Sequence, residues 1–144
     1  MLIRPSGLFI DGHRILTLRY AYHGHDRFNL PGGGQEGKET VIDTLHREFL
    51  EELGVNIGVG DLLFTCETLV QERHLLHLVF QITRISGIPH CIPTATSAHD
   101  VAWLPIQELS RDTLYPAIGP EIRSSLLPEK RHPVHLGRLV QSWF

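Results

Sequence analysis

The chain is poor in cysteine, in net charge and in long apolar runs, and each shortage excludes something. Of its 144 residues only Cys66 and Cys91 are cysteines. They lie far apart and form no C-x-x-C, so neither a disulfide framework nor a thiolate metal knuckle is on offer. With no secretory signal either, a reducing, cytoplasmic setting is expected. The formal net charge is −3 with neutral histidines, too little positive charge to hold a nucleic-acid polymer. The longest apolar stretches are strand-length, so no membrane span is expected. Ten histidines are present, yet no H-E-x-x-H or Cys/His zinc spacing occurs among them. Repeats, low-complexity tracts and linkers are absent as well. A chain of this length reads as one domain over 1–144, with a core over 1–127 and a tail over 128–144. At 42% hydrophobic and 20% charged residues, it has the apolar content for a full core.

What is present concentrates between residues 30 and 55. Leu30 and Pro31 lead into three consecutive glycines, Gly32, Gly33 and Gly34. Such a run lets a backbone pass close to a ligand, and a glycine-rich turn feeding a helix is a place where backbone groups can meet a phosphate or a metal. A glycine-free stretch over 40–53 follows, and its spacing predicts a helix. Ile42, Leu45, Phe49 and Leu53 form an apolar stripe, Glu39 and Asp43 suit the positive end of the helix dipole, and Gly54 stands where a left-handed cap is wanted. Glu48, Glu51 and Glu52 sit at i, i+3 and i+4, so three carboxylates share one face. Like charges at that spacing destabilise a helix by about 0.2–0.5 kcal/mol per pair. Arg47 is the one nearby cation. A hard divalent ion such as Mg²⁺ or Mn²⁺ would turn repulsion into coordination, because such ions take oxygen ligands and bridge carboxylates to phosphates. A solvated acidic face is the plain alternative for the glutamates taken alone.

Residues 33–55 together read G-x5-E-x7-R-E-φ-x-E-E-x-G-φ, where φ is apolar. This resembles the Nudix box, the signature of the Nudix hydrolase family, in every fixed position. With average residue frequencies a chance match in such a chain is on the order of one in ten million. The resemblance implies hydrolysis of nucleoside diphosphates linked to another moiety, with Mg²⁺ or Mn²⁺ as cofactor and water attacking a phosphorus. Carried onto this sequence, Glu48 and Glu52 would be the principal metal ligands, and Glu51 a further ligand or a base for the water. Arg47 would orient a box glutamate, Glu39 would support the loop, and a carbonyl from Gly32 or Gly33 would complete the metal shell. Family members often recruit an acid from outside the box. Asp100 is the first candidate here, with Glu67 and Glu72 as alternatives.

Around the box, 8–10 and 15–20 flank the turn signal Asp11-Gly12 and predict a hairpin. A loop bearing His23 and His25 over 22–27, a short strand over 28–30, strands over 61–70 and 75–85, a loop over 87–98 and a short strand over 101–104 follow. A helical turn at 105–109 and a helix over 116–127 come next, and the tail is expected to pack back through Leu139, Val140 and Trp143. Helices packed on a mixed sheet are therefore expected. This agrees with the α/β/α sandwich that the resemblance implies, with the box helix and a C-terminal helix on a mixed β-sheet. The segment from Trp103 to Leu109 is also similar to one found late in many Nudix domains. Arg19 and Arg27 could contact a substrate phosphate through their donor forks, Phe28 could stack on a base, and Gly33 and Gly34 would border the substrate. His74 and His77, three apart on a strand, point to opposite faces and do not share a metal.

The expectation is a metal-dependent pyrophosphohydrolase acting on a nucleotide or nucleotide conjugate, with a nucleoside triphosphate preferred by analogy alone. The competing class is a non-catalytic nucleotide-sensing or partner-binding module. Such modules lose box carboxylates, and here all are present. A homodimer is compatible with the apolar tail.

Overall fold

The structure, a computed structural model, describes residues 1–125 and 134–141. In chain order its elements are β1 Leu2–Leu8, β2 Ile10–Asp11, β3 Arg14–Tyr22, β4 His25–Asn29, α1 Val41–Leu53, β5 Asn56–Val70, β6 Arg73–Ser86, β7 Asp100–Pro105, a 3-10 turn Ile106–Glu108, β8 Leu114–Tyr115, α2 Gly119–Ser125 and β9 His135–Arg138. This is a mixed α/β fold in which the strands divide between two sheets. One has the order β1-β6-β5-β9, and the other runs β2-β3-β4-β8 with β7 on the far side of β3. Both are mixed: β1 runs parallel to β6 and β4 parallel to β8, while β5–β6, β3–β4 and β3–β7 are antiparallel.

Each helix seals a different apolar mass. On α1, Leu45, Phe49 and Leu53 are fully buried against Leu16 and Leu18 of β3 and Ile57 and Ile82 of the first sheet. Ile118 and Ile122, at the start of α2, join Leu8, Ile15, Phe64 and Val79 in the second cluster. Gly7 is required where β1 passes α1, since a Cβ there would fall 2.7 Å from the Phe49 ring and 2.6 Å from Ile82.

α1 begins and ends as its sequence dictates. Thr40 caps it, accepting from the Asp43 N–H at 3.0 Å while the Asp43 side chain accepts from Thr40 N–H, which closes a reciprocal box. Gly54 ends it in the left-handed conformation at φ 67 and ψ 25. Residues beyond the helix also tie down its end, with His90 N–H donating to Leu53 O and Ile92 N–H to Glu52 O.

The glycine loop is laid along the outer edge of β1. Gly7 N–H donates to Pro31 O, Gly33 N–H to Pro5 O and Gln35 N–H to Ile3 O, at 2.9, 3.2 and 3.1 Å. A side chain at Gly32 would collide with the Pro5 carbonyl and with Ser6. The loop is thus a rung of the sheet as well as a turn, and that fixes its height over α1.

Several boundaries differ from those expected. β1 is a strand of seven residues, where the sequence suggested only its end, because Pro5 and Gly7 interrupt the apolar alternation. The expected loop over 22–27 is a β3–β4 hairpin whose turn is His23-Gly24. The β5–β6 turn narrows to Gln71 and Glu72, both at positive φ. Of the helix expected over 116–127, α2 occupies only Gly119–Ser125. Leu114 and Tyr115 are held extended by parallel pairing with β4, so the helix cannot begin at Pro116, and 126 and 127 lie outside the described residues. The tail adds β9 to the first sheet and packs through Leu139. Val140 is instead 86% exposed, and Trp143 lies outside the described residues. No helix among the described residues is long and apolar enough to cross a membrane.

Candidate active site

The carboxylate face of α1 lies beneath the glycine loop. Gly33 faces the Glu48 carboxylate so closely that a Cβ there would occupy the carboxyl group itself. Glu48 and Glu52, one turn apart, are both withdrawn from solvent; Glu52 is 7% exposed and the Glu48 side chain 14%. Burial, and then the neighbouring Glu48 charge, push the Glu52 carboxyl well above the usual carboxylate range, with the Gly32 N–H and Arg4 opposing. Burial also raises Glu48, against the pull of Arg47. Each of these enclosed carboxyls makes the other costlier to ionise. Glu52 Oε1 is enclosed and has no hydrogen-bond partner, so a costly acceptor stands unused beside a second carboxylate.

Arg47 fills the adjoining ground. It donates Nε and Nη2 to Glu39 at 3.1 and 2.8 Å, Nη1 to Glu48 at 3.0 Å and to Glu51 at 3.2 Å, and Nη2 to Gly34 O at 3.1 Å. Hydrogen bonds from Arg47 hold the Glu39 carboxyl down at about 2, and Glu39 in return accepts from Thr44 and from Glu36 N–H. One guanidinium therefore links the loop, the start of α1 and two box glutamates. Glu51 is the open member, its side chain 51% exposed.

A hard divalent cation suits the Glu48–Glu52 pair. The donors are carboxylate oxygens, one is orphaned, and an ion would neutralise the crowded pair while satisfying it. No three His, Cys, Asp or Glu side chains among the described residues form a preset metal cluster. Arg47 instead engages Glu51 and one oxygen of Glu48.

The other expected residues gather elsewhere. Arg19 donates Nε and Nη2 to the two oxygens of Asp100, at 2.7 and 3.2 Å, and Nη1 to Asp26 at 3.0 Å. Asp100 stands opposite Arg19 across β3–β7, and the Arg19 hydrogen bonds hold its carboxyl below the usual range. Arg19 and Asp100 are thus engaged with each other and with Asp26, away from the box glutamates. Arg27 donates to Asp26 O, and half-buried Phe28 sits between Arg19 and Leu114 in the sheet register. Glu67 takes a 2.7 Å contact from His74 and lies 3.5 Å from His135, while Glu72 is at the exposed β5–β6 turn. His74 and His77 do face apart. His77 is fully buried, and burial, then Arg4, pushes its imidazole down to about 3.

Sequence reasoning did not single out Arg4. It lies on β1 directly opposite His77, donates to Leu30 O at 3.1 Å and lies over the Tyr115 ring, 5.4 Å from its centre. Arg4 and Tyr115 border a cavity of about 520 Å³ that reaches Gly34, within the size range of small-molecule sites. The signal was an arginine inside an otherwise apolar strand, masked by the neighbouring proline.

The model of the NUDIX domain matches residues 5–124, which includes the glycine loop and the whole of α1.

The chain belongs to the Nudix family.

It is therefore a Nudix hydrolase; members generally cleave pyrophosphate bonds in nucleotide derivatives and generally use divalent cations. Solved structures agree on the fold. The E. coli ORF135 protein superposes with a TM-score of 0.73 at 20% identity, covering 90% of this chain and 95% of its own. A MutT Nudix hydrolase from Burkholderia pseudomallei gives 0.71 at 23% identity, with 83% and 95% coverage. A UDP-X diphosphatase gives 0.71 at 18% identity, with 93% and 66%. No curated protein sequence matched significantly.

Proposed function

We propose that this Nudix domain hydrolyses the pyrophosphate bond of a nucleoside diphosphate linked to another group, a nucleoside triphosphate or a nucleotide conjugate, with Mg²⁺ or Mn²⁺. The observation that carries the reading is the enclosed Glu48–Glu52 pair under Gly33, with Glu52 Oε1 unpartnered. Glu48 and Glu52 would hold the cation, helped by a backbone carbonyl at Gly32 and by Glu51. When bound, such an ion supplies charge neutralisation at the phosphates and makes water a better nucleophile.

The chain's own residues perform the remaining tasks. Glu52, whose carboxyl burial raises, would ionise to hold the cation. Arg47, anchored by Glu39, keeps Glu48 and Glu51 in place against mutual repulsion. A water oxygen bonds to phosphorus, the bridging P–O bond breaks, and Glu51, the exposed glutamate, takes the proton released by the water. The products are a nucleoside monophosphate and either pyrophosphate or a second phosphate ester. The half of the substrate that is not attacked sits in the cavity that opens at Gly34. Asp100 and Asp26 act as positioning residues for Arg19, whose guanidinium they hold between them. The name of one structural neighbour, a UDP-X diphosphatase, agrees with a diphosphate-linked substrate.

The test is a panel of nucleoside triphosphates, nucleoside diphosphate sugars and dinucleotides with Mg²⁺, read as phosphate released by inorganic pyrophosphatase for the triphosphates and by phosphatase acting on the monoester products for the sugars and dinucleotides. Turnover of at least one member is expected. A silent panel with both Mg²⁺ and Mn²⁺ would remove the proposal.

A further inference from the structure

The carbonyl of Leu30 opens the glycine loop, and Arg4 grips it. Arg4 Nη2 donates to Leu30 O at 3.1 Å, while the Leu30 N–H donates to Tyr115 O at 3.0 Å. The guanidinium also lies over the Tyr115 ring, 5.4 Å from its centre. Leu30 is therefore tied at both ends, by a side chain from β1 and by the backbone of β8. Its carbonyl belongs to the Leu30–Pro31 peptide, which is planar, and the proline ring fixes the next φ. Holding that carbonyl sets the direction in which Gly32 and Gly33 leave Pro31. Those two glycines meet the acidic pair: the Gly32 N–H faces Glu52, and Gly33 lies against the Glu48 carboxylate.

An arginine is a costly residue for this place. Its Nη1 is enclosed with no hydrogen-bond partner, and among the described residues Arg4 makes no ion pair. Its charge favours the ionised form of Glu52 and opposes protonation of His77, across from it on β6. A methionine of similar reach would spare the strand an unsatisfied donor, but would leave Leu30 O without this clamp.

We infer that Arg4 is a positioning residue of the cation site, clamping Leu30 O so that the Gly32–Gly33 backbone is held over Glu48 and Glu52. The inference rests on the proposed hydrolysis, since it deepens the account of the same site. Arg4 acts through the loop and touches neither substrate nor ion. Loss of an outer-shell support of this kind typically costs about 10–100-fold in metal affinity. The charge of Arg4 works in the opposite sense. A guanidinium repels a nearby cation, so losing the charge alone would tighten metal binding, whereas losing the clamp loosens it. The sign of the change separates the two.

Variants of the full chain test this through Mn²⁺ affinity, measured by electron paramagnetic resonance, and through amide exchange without metal. Arg4→Met is expected to weaken Mn²⁺ binding about tenfold. Arg4→Lys, which keeps the charge and a donor but not the planar fork, is expected to fall between it and wild type. Arg111→Met removes an arginine tied to a different carbonyl, Ala117 O at 2.9 Å, and is expected to bind Mn²⁺ as wild type does. Without metal, the Gly33 and Gln35 amides, bonded to Pro5 O and Ile3 O, are expected to exchange severalfold faster in Arg4→Met, with the central amides of β5 and β6 unchanged. Mn²⁺ affinity that stays equal or tightens in Arg4→Met would overturn the inference, and so would an equal loss in Arg111→Met. Unchanged exchange at Gly33 and Gln35 would overturn it as well. Should Arg4→Met fail to fold, Arg4→Lys decides, with wild-type affinity and exchange counting against the clamp. A wild type that binds no Mn²⁺ would count against the proposed hydrolysis, and amide exchange would still decide for or against the clamp.

Discussion

The backbone of Gly33 lies against the Glu48 carboxylate with no room for a single methyl group between them. The glycine is there for the carboxylate: the loop that hydrogen-bonds along β1 is pressed onto the acidic face of α1. A Gly33→Ala variant must therefore displace either the loop or Glu48. Displacement of about an ångström in a catalytic group can cost about 10²-fold. Turnover is expected to fall by at least tenfold, with most of the loss in kcat, while circular dichroism stays native. Unchanged kinetics would show that Glu48 is free to move aside.

Arg47 offers a second test, because its geometry and its charge can be separated. Its fork serves Glu39, Glu48, Glu51 and Gly34 O together, which a lysine cannot do. Arg47→Lys is expected to lose about tenfold or more in kcat, and Arg47→Ala more than that. Glu39→Gln, which loosens the Arg47 anchor without touching the Glu48–Glu52 pair, is expected to fall between wild type and Arg47→Ala. A Glu39→Gln effect as large as that of Arg47→Ala would mean that Glu39 has a direct role.

Arg19 and Asp100 form a matched pair at the β3–β7 register. If Asp100 acts through Arg19, Arg19→Ala, Asp100→Asn and the double variant should raise KM by similar factors, as residues in one network do. A fall in kcat of about 10²-fold for Asp100→Asn alone would make Asp100 an acid or base in the reaction itself.

His77 is expected to weaken the fold in acid. It is enclosed, and its Nε2 contacts Thr68 Oγ1 at 2.8 Å. Burial pushes its imidazole down to about 3, whereas an unfolded chain protonates histidine at about 6.5. The unfolded state therefore binds the extra proton between those values. The contribution from neutral His77 is complete above about pH 6.5 and is lost as pH falls toward 3, at up to about 1.4 kcal/mol per pH unit. The raised Glu52 carboxyl pulls the other way over part of this range in both proteins, so the test is the difference: in denaturant titrations from pH 8 to 4, His77→Phe should lose less stability than wild type as pH falls below about 6.5. An equal slope in the variant would assign acid lability to other groups.

Much of the fold could be read from the chain because local signals agreed with one another. The α1 stripe, the acidic Glu39 and Asp43 near its start, and Gly54 each marked the same helix, and Asp11-Gly12 marked the first hairpin. β1 escaped because Pro5 and Gly7 break the alternation, and its support is non-local: parallel pairing with β6, some seventy residues on, and the glycine loop on its other edge. The start of α2 escaped because pairing of β8 with β4 overrides the local helical pattern after Pro116. In the site, the spacing of Glu48, Glu51 and Glu52 showed that they share a face. It could not show that Glu48 and Glu52 are enclosed while Glu51 is open, since that depends on where the loop lies. The mutual engagement of Arg19 and Asp100 is likewise a matter of strand register, invisible eighty-one residues apart.

The central claim is that the enclosed Glu48–Glu52 carboxyl pair holds the divalent cation that hydrolysis needs. Glu52→Gln tests it most directly, because glutamine resembles the protonated side chain that burial already favours at this position. The variant should fold with a Tm at or above that of wild type. Its Mg²⁺-dependent turnover of the best panel substrate should be lower by at least about 10²-fold. Turnover at the wild-type rate in a folded Glu52→Gln protein would contradict the account.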